Sequence, residues 1–225
     1  MLLGLSDWTC VRLAMAAGAR MKHLGRGAVL LACGLIAAGC VPQGQGWASL
    51  YKSPQQPKLK VVMPAGAPSI SQQFLFTTSD AKHLGIDVIG AVGDPVIAVA
   101  DGYVAGSYSE PMYGNRVVVE HGPDATGRRI VAVYKHLDSR QVAKGTMVMR
   151  GQQLGTIGTT GVLGGGRFPH LHFEIYRQNG SSGETPTDPQ IFWVNGPGQV
   201  TCFDPAITYD ATVFRSTYPV PCRGQ

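Results

Sequence analysis

From Val61 onward, short β-branched runs alternate with glycine, proline and aspartate turn signals, and no window sustains a helical period. That pattern predicts an all-β domain, a largely antiparallel sheet or sandwich. Residues 96–100 and 103–105 flank Asp101-Gly102, which predicts a two-residue hairpin. Residues 116–120 and 129–136 flank a loop holding Gly122, Pro123 and Gly127, which predicts a second hairpin. Segments 147–149, 153–157 and 170–176 complete the set of strands. Thirty glycines, 15 prolines and a charged fraction of only 15% favour short strands and tight turns over long helices. A chain of 225 residues suffices for one medium domain with a core, plus extensions.

The strand pattern gives meaning to the histidines. Two groups stand out, His83-Leu84-Gly85-Ile86-Asp87 and His170-Leu171-His172-Phe173-Glu174, with His136 alone in a third segment. In a strand, alternate side chains share a face at about 3.3 Å per residue, so His170 and His172 point the same way. They can share one ion, or one can ligate while the other works beside it. His83 and Asp87 would lie roughly 13 Å apart if extended, too far for one ion, so the chain must bend between them. Gly85 is the residue that permits a bend. Imidazole and carboxylate suit zinc, and three protein ligands with one open position mark a catalytic site. No cysteine lies between Cys40 and Cys202, which excludes an all-thiolate structural zinc there. His121 ends an apolar run and reads as a strand-end residue, and His23 lies in the leader. The glycines of 158–168 are followed by no Lys-Ser/Thr and no helix, which excludes a phosphate loop. No Gly-x-Ser-x-Gly elbow is present, which argues against a serine hydrolase.

These motifs and their surroundings resemble the lysostaphin/LytM-type zinc endopeptidases that cut bacterial cell-wall peptides. The likeness extends through Gly93-Asp94-Pro95, Tyr113-Gly114-Asn115, Leu154-Gly155-Thr156 and Pro169-His170-Leu171-His172-Phe173-Glu174, covering about residues 80–190 in unbroken order. The resemblance implies zinc ligands His83, Asp87 and His172, with His170 and His136 as the two non-ligand histidines of catalysis. His170 is expected as the base, and His136 as oxyanion stabiliser and proton donor. Glu174 shares the face of His172, where it either orients that ligand or meets solvent. Residues 69–82 lack the Arg-rich approach many members show, a difference that bears on substrate preference. Some relatives with this fold have lost ligands and activate other wall hydrolases. The alternative reading is therefore a catalytically inactive lipoprotein regulator, although all five site residues survive here.

The N-terminal part predicts export. Met21-Lys22-His23-Leu24-Gly25-Arg26 precedes the apolar stretch 27–38, too short for a comfortable membrane span and suited to a cleaved signal. It ends in Ala37-Ala38-Gly39-Cys40, which resembles the bacterial lipoprotein box and predicts lipid attachment at Cys40. Val41 after that cysteine favours the outer membrane in a Gram-negative host. Residues 1–20 read as an upstream extension, with Met21 an alternative start. Without residues 1–39, Lys+Arg falls from 19 to 15 and Asp+Glu from 14 to 13, leaving a net charge of +2 that gives no argument for nucleic-acid binding. Cys10 and Cys33 leave with the leader and Cys40 carries lipid, so Cys202 and Cys222 remain as a pair expected to form a disulfide. The expected organisation is leader 1–39, lipid-attached linker 40–60, metallopeptidase domain 61–195 and disulfide-closed extension 196–225. The expected partners are peptidoglycan peptides and, through the lipid, a membrane.

Overall fold

The computed structural model describes residues 59–76, 81–163, 168–180 and 183–224. The leader, Cys40, the linker to residue 58 and part of the glycine-rich loop lie outside the described residues. Among those described, no helix is long and apolar enough to cross a membrane. Among the described residues, twelve strands and one turn of 3-10 helix at Pro189–Ile191 make up the regular structure. The strands are β1 Ile70–Gln72, β2 Leu75–Phe76, β3 Ala81–His83, β4 Gly85–Ile89, β5 Pro95–Ile97, β6 Gly102–Glu110, β7 Gly114–Pro123, β8 Arg129–Arg140, β9 Met147–Val148, β10 Gln153–Ile157, β11 His170–Gln178 and β12 Glu184–Thr187.

Ten strands form one sheet with the path β1-β4-β11-β8-β7-β6-β9; β12 joins β11, β10 joins β8, and β5 joins β10, while β2 and β3 pair separately. Every ladder is antiparallel. The expected all-β class is what the described residues adopt, and the hairpin across residues 116–136 forms as β7–β8.

The expected Asp101-Gly102 hairpin does not form. β5 pairs with β10, whereas β6 pairs with β7 and β9. Gly102 is absent from the positive-φ glycines, so the primed turn that this dipeptide favours in hairpins is not made. Its glycine serves a close approach instead: a Cβ at 102 would come within 2.6 Å of the Glu120 carbonyl oxygen. Asp101 is used as an acceptor, its carbonyl taking the His121 Nδ1–H at 2.8 Å and its carboxylate the Arg150 backbone N–H at 2.7 Å.

Alternation sorts the sheet into two faces. Ile86 and Val88 of β4, Leu171, Phe173 and Ile175 of β11, Ala132 and Tyr134 of β8, and Val117 and Val119 of β7 all enter the core. Their neighbours at Asp87, His170, His172, Glu174 and Lys135 therefore share the opposite face. At about 25 cal/mol per Å² of apolar surface, burial of these β-branched and aromatic side chains is the force that fixes which face is which. A register slip of one residue would exchange them.

The C-terminal segment belongs to the same core. Phe192, Trp193, Val200, Phe214, Tyr218 and Val220 lie in that cluster with the sheet residues. Cys202 and Cys222 are disulfide-bonded, with Cα atoms 5.9 Å apart. Arg150 ties the segment down through hydrogen bonds to the Val99 carbonyl and, at 2.9 Å, to the Arg215 carbonyl. Its guanidinium also lies 4.5 Å from the centre of the Tyr209 ring.

Candidate metal centre

The chain turns at Leu84 between β3 and β4, which brings His83 back over Asp87. The bend expected from spacing is present, but Gly85 serves it differently. Its φ is not positive; a Cβ there would sit 2.2 Å from the Phe173 carbonyl oxygen, so glycine lets β4 lie close to β11. Asp87 and His172 then face each other as directly paired residues of those two strands.

Three donor atoms converge as a result. His83 Nε2 lies 3.1 Å from Asp87 Oδ1 and 3.1 Å from His172 Nδ1, and His172 Nδ1 lies 2.7 Å from Asp87 Oδ1. All three residues are buried or nearly so. Hydrogen-bond partners on the far side of each ring set its tautomer. His83 Nδ1–H donates to the Gln73 carbonyl at 2.9 Å, and His172 Nε2–H donates to Glu174 Oε1 at 2.9 Å. Each imidazole thus turns a lone pair toward the triangle, where Asp87 adds a carboxylate oxygen.

Three acceptors this close to one another call for a positive charge among them. Tetrahedral zinc with bonds of about 2.0–2.1 Å places neighbouring donors roughly 3.3 Å apart, close to the spacing here. The residues fit such an ion, and these three are a group able to hold a metal. The surrounding electrostatics favour a cation too. Burial would raise the Asp87 pKa, but the imidazoles set against it, His172 first and His83 next, hold it far below the usual carboxylate range. Burial likewise opposes protonation of His172, yet Asp87 and Glu174 raise its pKa overall.

Two further histidines border the triangle. His170 donates Nδ1–H to the Phe168 carbonyl at 3.0 Å, and its Nε2 stands 3.9 Å from Asp87 Oδ1. His136 donates Nδ1–H to the Thr160 carbonyl at 2.9 Å. Its ring centre is 5.0 Å from that of His170 and 6.0 Å from that of His172. Burial lowers the His136 pKa to about 4, so it is neutral near pH 7 with a free lone pair on Nε2. His136 also has φ 62°, the one positive φ of a non-glycine residue among those described. Backbone strain of this kind is worth roughly 1–3 kcal/mol and gathers at functional sites.

The loop beside His136 is built rather than slack. Thr160 Oγ1 donates to the Leu137 carbonyl at 2.7 Å and accepts from the Asn115 backbone N–H at 2.9 Å. Val162 and Leu163 hydrogen-bond the carbonyls of Pro111 and Met112. Gly114 (φ 67°) and Gly161 (φ 86°) make this contact possible, since a Cβ on either would enter the other segment's backbone at 2.3 Å.

The motifs assign no role to Lys135 or Tyr113. Lys135 Nζ donates to Glu174 Oε1 at 2.7 Å and lies 4.0 Å over the Tyr113 ring. Burial would raise the Glu174 pKa, but His172 and Lys135 bring it down to about 2. Of the two roles open to Glu174, contact with His172 is the one present. A lysine one residue before His136 carries no signal in the sequence, because its meaning depends on the strand beside it.

The model for peptidase family M23 matches residues 81–189, where the resemblance read from the motifs also falls. Over 97 residues the chain is 40% identical to peptidoglycan DD-endopeptidase ShyB of Vibrio cholerae serotype O1, covering 43% of this chain and 21% of that protein. Over 109 residues it is 36% identical to murein hydrolase activator NlpD of Escherichia coli K12, covering 48% of this chain and 26% of that protein. The chain thus spans about a fifth to a quarter of the length of these curated relatives. Among solved structures, a zinc-containing peptidase from Vibrio cholerae is 32% identical, with 55% of this chain and 38% of that one covered and a TM-score of 0.43.

Proposed function

Because residues 81–189 form a domain of peptidase family M23, we propose that this chain is a zinc-dependent endopeptidase that hydrolyses cross-links or stem peptides of bacterial peptidoglycan. The observation that carries this reading is the triangle of His83 Nε2, Asp87 Oδ1 and His172 Nδ1, with edges of 3.1, 3.1 and 2.7 Å. In this reading those residues hold the ion, and Gln73 and Glu174 keep both imidazoles in the ligating tautomer. Bound zinc supplies Lewis-acid polarisation of a carbonyl and lowers the pKa of a water.

The remaining chemistry belongs to the two accessory histidines. His170 is the base: with Nδ1–H held by Phe168, its Nε2 is a proton acceptor at the edge of the triangle. His136 has the same tautomer, held by Thr160. Its neutral Nε2 first accepts a proton, the one His170 takes from the attacking water being the source at hand, and as the imidazolium it then stabilises the oxyanion and donates that proton to the leaving amine. A pKa held at about 4 by burial means that this form returns its proton readily.

Attachment to the envelope through Cys40, facing the periplasm from the outer membrane in a Gram-negative host, is part of the same proposal and rests on Ala37-Ala38-Gly39-Cys40. A mature N-terminus found elsewhere than residue 40 would overturn that part. Similarity to a murein hydrolase activator favours a second reading, a regulator of other wall hydrolases. One experiment decides between them. Purified peptidoglycan is incubated with the soluble form beginning at Val41, and released fragments are identified by mass spectrometry. Peptide cleavage that stops on zinc removal and returns on its addition supports the enzyme; bound zinc without any released peptide supports the regulator.

A further inference from the structure

A lysine side chain only 6% exposed, held against a carboxylate only 2% exposed, is costly to desolvate and needs a reason. Its place in the sheet supplies one. Lys135 of β8 is directly paired with His172 of β11, which in turn is directly paired with Asp87 of β4. The three side chains form a row across the face opposite the core. Glu174, two residues along β11 on the same face, closes the group.

We infer that Lys135 is a positioning residue for the metal ligand His172, acting through Glu174 to hold that carboxylate where it accepts the His172 Nε2–H. This rests on the zinc reading above. Glu174 Oε1 receives Lys135 Nζ at 2.7 Å and His172 Nε2–H at 2.9 Å, while Oε2 receives the Tyr176 hydroxyl at 3.1 Å. Three donors on two adjacent strands leave the carboxylate one orientation. The Tyr113 ring, 4.0 Å from Nζ, closes over the ammonium group.

The charge of Lys135 matters as well as its hydrogen bond. A buried carboxylate with no opposing charge would turn to face the cation and change the donor set. With the ammonium group on the same Oε1 that takes the His172 Nε2–H, Glu174 is neutralised and stays in place to orient His172. Outer partners of metal-binding histidines change metal affinity by roughly 10–100-fold, and Lys135 is inferred to act in that range.

The test measures zinc dissociation constants of the full protein by competition with a chromophoric chelator, alongside melting temperature. Lys135→Met keeps the length of the side chain and removes its charge; it should weaken zinc binding roughly 10–100-fold. The double variant Lys135→Met with Glu174→Gln removes both charges and keeps an acceptor for His172, so it should recover most of that loss. If Lys135→Met does not fold, Glu174→Gln alone takes its place, since it leaves the lysine unopposed, and the double variant should bind zinc more tightly than it does. Melting temperatures that fall while zinc affinity stays at the wild-type value in every folded variant would make the pair merely structural and overturn the inference. Wild-type protein that binds no zinc would instead refute the reading of the metal centre, and this inference with it.

Discussion

His172 Nδ1 and Asp87 Oδ1 stand 2.7 Å apart across the β11–β4 ladder, although 85 residues separate them in the chain. Neither atom has its proton needs met by the other when His172 Nε2–H is held by Glu174. From this pair follows the first prediction. Purified protein should hold about one zinc per chain, and His172→Ala should lose most of it by elemental analysis. Full metal retention by that variant would move the site elsewhere.

The accessory histidines should separate from the ligands. His170→Ala and His136→Ala remove no corner of the triangle, so each should keep much of its zinc while losing roughly 10²-fold or more in peptidoglycan cleavage. Metal loss from either variant as complete as that of His172→Ala would mean its role is wrongly assigned.

Gly114 tests the wall beside the site. With φ 67° and the Thr160 backbone 2.3 Å from where a Cβ would sit, Gly114→Ala cannot keep the 160–163 segment in place. Thermal melts should show a loss of about 1–3 kcal/mol, together with reduced cleavage and unchanged zinc content. An unaltered melt and rate would show that the wall yields freely.

Asp124 gives a pH signature away from the metal. Burial would raise its pKa, but hydrogen bonds from Thr126, Arg177 and Arg128 lower it to about 2. Arg177 Nε approaches to 2.6 Å. A depressed folded-state pKa contributes stability that is present above the unfolded value near 4 and lost as pH falls through about 2. Asp124→Asn should therefore lower the melting temperature at pH 7, by about 2 kcal/mol of stability, and the gap from wild type should narrow between pH 4 and pH 2. A gap that stays constant over that range would rule out the ionised carboxylate as its cause.

The disulfide closes a segment whose aromatic residues sit in the common core. Replacing Cys202 and Cys222 with serine should cost about 3 kcal/mol on the chain-entropy estimate and leave zinc content intact. Loss of metal on reduction would couple the segment to the centre. One such path exists in hydrogen bonds: Trp193 Nε1–H to Gln190, Gln190 to the Gln73 side chain, and the Gln73 carbonyl to His83.

Local chemistry alone determined a good deal of this protein. Period-two alternation in 170–176 put His170, His172 and Glu174 on one face, because side-chain direction in a strand follows from the backbone of that strand. Counting cysteines left Cys202 and Cys222 as the pair, and the spacing of His83 and Asp87 required a bend. Tertiary structure decided whatever depends on which strand lies next to which. The register that sets Asp87, His172 and Lys135 in one row comes from burying Ile86, Phe173 and Tyr134 on the other face, a cooperative result that no single segment encodes. The same holds for Asp101-Gly102, whose turn signal yielded to the close approach of β7, and for His136, whose strained φ is sustained by contacts with Tyr113 and Thr160. Packing selects among conformations that local sequence leaves nearly equal in energy, so the residues of this site are visible in the chain but their distances from one another are not.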